Sequence, residues 1–134
     1  MTDQVNILGA LTVLGALTGC ASLVAQSPAS GYQVFRTPEA QVGQLVEVSG
    51  FLRWTFEDRN LYPTSNHDSD RKKKRCLPLG ISRSDIVLME KAKQLDGSRV
   101  IVSGTVERLV SGEELSFSFC RDVGIRVSQI TQAR

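Results

Sequence analysis

The longest alternating run of the chain lies between Val46 and Phe56. Its even positions read Val46, Val48, Gly50, Leu52, Trp54 and Phe56, and its odd positions read Glu47, Ser49, Phe51, Arg53 and Thr55. Successive side chains of a strand point to opposite faces, so this pattern predicts a half-buried strand, with Trp54, Phe56 and Phe51 in the core or the barrel wall. Gly50 in its middle predicts a bend or bulge. Glu57 to Asn60 supply turn residues, and Leu61-Tyr62 begin a returning strand that Pro63 ends. From Thr64 to Arg75 no apolar residue occurs, so that segment is expected to be an exposed loop. Cys76 to Ile81 read as a short strand, which Pro78 makes an edge strand or an irregular one. Ser84 and Asp85 form an N-cap region before Ile86 to Leu95. There the apolar positions 88, 92 and 95, with 86 and 89, keep helical spacing, and Gly97 is the stop. Arg99 to Val110 is a further strand, with Val100, Val102 and Val106 on one face. Ser111 to Glu113 turn it back into Leu115 to Cys120, where Phe117 and Phe119 alternate with serines as one buried face. Ile125 to Ile130 close the chain.

Val46-Glu47-Val48-Ser49-Gly50 recurs as Val100-Ile101-Val102-Ser103-Gly104. Two strands with the same bend-permitting glycine are thus separated by a hairpin and a helix. The order of elements is a long bent strand, a hairpin, a helix, a second bent strand and a hairpin. It resembles the OB-fold, over Gln44 to Gln132 and by element order rather than by a sequence signature. That resemblance implies a mainly β domain: a small five-stranded Greek-key barrel with one helix between strands three and four. A generic antiparallel sheet with one packed helix is the competing architecture.

The segment before it has another character. No charged residue interrupts Ile7 to Ala25, a run diluted by Gly9, Gly15, Gly19, Thr12 and Thr18. Up to Leu17 it has the length of an export-signal apolar region. Leu17-Thr18-Gly19-Cys20 then resembles the lipobox of bacterial lipoproteins. The resemblance implies cleavage before Cys20 and acylation of that cysteine, with palmitate among the attached chains. Ala21, in place of Asp, implies sorting to the outer membrane, facing the periplasm. Met1 to Asn6 depart from the pattern, with no Lys or Arg and with Asp3, so an uncleaved anchor or a misassigned start stays open. The organisation expected is a signal peptide over 1–19, a lipidated cysteine and tether over 20–41, and the barrel over 42–134. The Ser, Ala and Gln of Ser22 to Ser30 suit a flexible tether. Tyr32 to Gln41 is ambiguous, with Thr37-Pro38-Glu39 resembling the start of one helical turn.

Of the three cysteines, lipidation of Cys20 leaves Cys76 and Cys120. In an oxidising compartment a disulfide between them is the economical reading, and two buried free thiols are the alternative. The 16 basic and 14 acidic residues nearly balance, too evenly for composition to indicate a nucleic-acid binder. The positive excess is local, in Arg71-Lys72-Lys73-Lys74-Arg75. In OB-folds the loops beside the barrel often contact oligonucleotides or oligosaccharides, and Trp54, Phe56 and Tyr62 would offer stacking surfaces. The run reads either as a solvated loop or as a contact for lipid head groups, lipopolysaccharide phosphates, acidic glycans or extracellular DNA.

Catalytic patterns are missing from the sequence. His67 is the lone histidine and stands in the polar segment. No GxSxG, HExxH, CxxC or phosphate-cradling glycine motif occurs. Glu113 and Glu114 read as surface carboxylates in a turn. No cofactor or metal is expected, and no cytoplasmic nucleic acid. The expectation is a non-catalytic envelope lipoprotein, binding another envelope protein or serving as an accessory module of a larger assembly. The alternative is a polyanion- or glycan-binding module that uses residues 71–75 with Trp54 and Tyr62.

Overall fold

The computed structural model describes residues 30–109, 114–115 and 120–134. The lipobox through Cys20, with Phe117 and Phe119, lies outside the described residues. The described residues form six strands: β1 (Leu45–Trp54), β2 (Arg59–Tyr62), β3 (Leu77–Ser82), β4 (Arg99–Arg108), β5 (Glu114–Leu115) and β6 (Val123–Gln132). Three helices accompany them, α1 (Gly31–Arg36), α2 (His67–Lys72) and α3 (Ile86–Gln94), with a 3-10 turn at Pro38–Gln41.

The alternation of β1 decides its faces. Val46, Val48, Gly50, Leu52 and Trp54 are buried, while Leu45, Glu47 and Ser49 are exposed. A single strand cannot satisfy both its edges, and β1 uses two partners. Its first part pairs antiparallel with β4, from Leu45↔Thr105 to Phe51↔Arg99, and its last part with β2, from Phe51↔Tyr62 to Trp54↔Arg59. β4 continues onto β6, β6 runs parallel to β3, and β3 meets β2, which closes five strands into a barrel. β5 adds to β3 outside that ring. With α3 between β3 and β4, this is an OB-like barrel. The two valine-rich repeats are direct partners: Val46 faces Gly104, Val48 faces Val102, and Gly50 faces Val100.

One core fills the barrel, from Val46, Val48, Leu52, Leu61, Leu79, Ile81, Val100, Val102, Ile125 and Ile130 among others. α3 is capped by the Asp85 side chain, which accepts from the Leu88 amide at 3.0 Å, and buries Leu88 and Ala92. Its exit is tied to β1. The Gly97 amide donates to the Leu52 carbonyl, and the Trp54 amide to Asp96 Oδ1 at 2.9 Å. At the other end of the barrel α1, the segment before β3 and the start of β6 meet, where Arg121 bonds to the Phe35 and Lys74 carbonyls.

Several expectations are corrected. Ahead of residue 42, α1 packs on the barrel. Ser30 and Gln33 form a reciprocal capping box, and Val34 and Phe35 join the core. A six-residue helix is not stable alone, so those two side chains hold α1 in place. The segment from Thr64 to Arg75 is no loop throughout. Asn66 caps α2 through the Ser69 amide, and Asp70 is buried because its Oδ2 accepts from the Thr64 amide and hydroxyl. Apolar patterning misses such a helix because local side-chain-to-backbone bonds, not burial, organise it. Pro78 sits in no edge strand. β3 passes there from β2 to β6, and its residues 77–81 are buried. Phe56 lies past the end of β1 and is 74% exposed, while Phe51 is half-buried. Ile86 is exposed, in the first turn of α3.

Candidate functional site

The run Arg71–Arg75 is divided by its backbone. Arg71 lies in α2, whose axis carries its side chain to the β1–β2 turn. There its Nη2 donates to Asp58 Oδ2 at 2.7 Å and to the Tyr62 hydroxyl at 3.1 Å. Asp58 also accepts from Asn60 Nδ2 at 2.7 Å and from the Tyr62 hydroxyl, which spans both carboxylate oxygens at 2.9 and 3.0 Å. Asp58, Asn60 and Tyr62 are buried, and Asn60 Oδ1 has no hydrogen-bond partner in this network. Burial raises the Tyr62 hydroxyl above its ordinary pKa, with Asp58 adding to the effect and Arg71 opposing it. The phenol is therefore held neutral as a donor.

His67 stacks on Tyr62, ring centres 4.6 Å apart. Burial lowers its pKa below the ordinary imidazole value, and the charge of Arg53 adds to that effect. A lowered folded-state pKa means that the unfolded chain binds the proton first as the solution acidifies. His67 thus contributes stability that is present above the ordinary value of about 6.5 and lost as pH falls through its folded-state value. Urea denaturation should show a stability decline below about pH 6.5 that His67→Gln flattens. An unchanged slope in the variant would remove His67 from that role.

Lys73, Lys74 and Arg75 turn the other way, since Lys74 adopts a left-handed backbone (φ 52°) that ends α2. They line a groove of about 750 Å³ with Tyr32 and Arg36 of α1, Glu47 and Ser49 of β1, Pro63, Thr64 and Arg121. Three separate chain segments thus bring Arg36, Lys73, Lys74, Arg75 and Arg121 to one concavity, with Glu47 as the acid among the described residues of its lining. Arg121 fixes the geometry. Its guanidinium donates to the Phe35 carbonyl at 3.3 Å and also to the Lys74 carbonyl, joining α1 to the segment after α2. Behind it, Cys76 and Cys120 form a disulfide with Cα atoms 6.1 Å apart. Each half-cystine is the chain neighbour of a groove cation, Arg75 or Arg121.

The expected stacking surfaces are not in this groove. Trp54 is buried under Arg59, whose guanidinium lies 5.0 Å from the ring centre, and Tyr62 is covered by His67. Two aromatics of α1 line the groove, the buried Phe35 and Tyr32, which is 70% exposed. Sequence reasoning placed it in an ambiguous segment, and Arg36 and Arg121 carried no signal because they converge only through the fold. A Ser-x-x-Gln pattern at Ser30 to Gln33 was the available sign of α1. Among the described residues no cluster of three or more His, Cys, Asp or Glu side chains is placed to hold a metal ion. Compared with known proteins, the chain matches no family model and no curated sequence.

Proposed function

We propose that this chain is a membrane-anchored, non-catalytic OB-like module of the bacterial envelope that binds an anionic ligand, a polyanion or acidic glycan, in the groove between α1 and residues 73–75. The observation that carries this reading is the convergence of five cations from three chain segments on one concavity. Like charges brought together repel, and backbone bonds from Arg121 and the neighbouring disulfide help to keep these segments in place. A multivalent anion relieves that repulsion. The exposed ring of Tyr32 adds a face on which a sugar or a base can stack. The polar network around Asp58 is engaged internally and supports a structural rather than a catalytic role. Leu17–Cys20, read as a lipidation signal, supplies the envelope address within this proposal.

Heparin is a suitable probe. Its binding should weaken steeply with salt, because displaced counterions drive such association. Replacing Lys73, Lys74 and Arg75 with Gln should reduce affinity by about tenfold or more at low ionic strength. Replacing Lys91 and Lys93, on α3 at the opposite end, should leave it unchanged. Heparin affinity equal in wild type and the groove variant would overturn the anionic-groove reading. An accessory role on another envelope protein would then stand.

A further inference from the structure

We infer that the groove seats the domain on the anionic phospholipid surface to which the chain is anchored, with phosphate-bearing head groups against Lys73, Lys74, Arg75 and Arg36. This rests on the proposed lipidation of Cys20 and on the anionic-groove reading, and names the ligand for that groove.

Three observations lead there. The first is where the chain enters the domain. The described residues begin at Ser30, the cap of α1, and α1 itself forms one wall of the groove through Tyr32 and Arg36. Only about ten residues separate Ser30 from Cys20, a reach of at most roughly 35 Å when fully extended. A domain held so closely presents its entry end to the bilayer, and the local head-group concentration far exceeds that of any soluble anion. The second is the polarity of the barrel. The groove cations gather where α1 and the segments entering β3 and β6 meet, and α3, which joins the exit of β3 to the start of β4, lies at the other end because β3 runs parallel and β4 antiparallel to β6. A short tether and a one-ended cluster of cations give the same orientation. The third is chemical. Basic side chains attract an anionic surface within a Debye length, and an exposed Tyr with an apolar body and a polar tip suits the head-group layer. Tyr32 is 70% exposed and lines the groove.

The full acylated chain, reconstituted in phosphatidylcholine vesicles with or without phosphatidylglycerol, tests this by amine acetylation read residue by residue. Lys73 and Lys74 should be acetylated roughly threefold or more slowly in the anionic vesicles, high salt should restore the rate, and Lys91 should react equally in both. Equal rates at Lys73 and Lys74 in the two vesicle types would overturn the inference, as would equal protection of Lys91. If heparin protects the same lysines while anionic vesicles do not, the membrane inference falls and the groove reading stands. If neither protects them, both fall. Chain recovered with pure phosphatidylcholine vesicles as well after Cys20→Ser as before would remove the anchor premise, and the inference with it.

Discussion

Gly104→Ala is expected to cost the barrel at least about 3 kcal/mol, among the largest single-site losses available to it. Gly104 sits at the register shift of the β4–β6 pairing, opposite Val46 on β1 and Val127 on β6. A Cβ built there would overlap the Arg126 carbonyl and meet the Ile125 side chain at 2.8 Å. The obstruction is backbone in a closed ring, so it cannot swing aside as the tip of a long side chain does. Relief would require β6 to move away from β4, and β6 also holds the parallel contact with β3 that closes the barrel. Gly97 is the contrast. Its Cβ would meet nothing within 4 Å, but its φ of 81° lies in the left-handed region. Gly97→Ala should therefore cost only about 1 kcal/mol, from conformation alone. Urea unfolding followed by Trp54, the single and buried tryptophan, measures both variants in one assay. Similar midpoints for the two would show that the β4–β6 pairing accommodates the added carbon.

These two glycines mark how far the sequence could be read. Gly97 follows helical spacing, and a stop there is legible from local pattern. The valine-rich repeats with Gly50 and Gly104 are legible as bent strands. That they pair with each other in reverse register, with Val46 on Gly104 and Gly50 on Val100, needs the closed barrel. Period-two alternation and one helical stretch therefore lead to the OB-like barrel, because burial organises those elements. Where polar bonds organise the chain, apolar patterning is silent. α2 forms on an Asn66 cap and an inward Asp70, and α1 on a reciprocal cap and two core side chains. The candidate site lies among those segments. Residues 71–75 were visible as a charged run, but its division by Lys74 was not. Nor was the arrival of Arg36 and Arg121 from positions distant in the chain, since no local pattern encodes a meeting that the barrel end imposes.

The disulfide joins the two halves of that site, and its removal is expected to have two separable effects. It closes a separation of 44 residues, for which the chain-entropy model gives roughly 4 kcal/mol. Cys76→Ala with Cys120→Ala should lower the stability by about that amount, a large share of the roughly 5–15 kcal/mol of an ordinary domain. The barrel should nevertheless persist at low temperature. Cys76 and Cys120 belong to a small cluster with Tyr62 and Phe51, apart from the core that fills the ring. The groove should be affected more than the barrel. Arg75 and Arg121 flank the two half-cystines, and without the bridge the bonds that join their two segments include those from Arg121 to the Phe35 and Lys74 carbonyls. Those bonds are partly exposed and exchange with water, so the cations spread and their joint attraction for a multivalent anion weakens. Heparin affinity, measured well below the unfolding midpoint with native far-ultraviolet dichroism, should fall several-fold. A variant that loses stability but binds as tightly as wild type would assign the bridge to the fold alone. A variant that binds weakly while its dichroism and Trp54 emission stay native would assign it to the position of Arg75 and Arg121. The second result is expected, because the bridge lies in the small buried cluster directly behind the groove cations and not in the core that closes the strands.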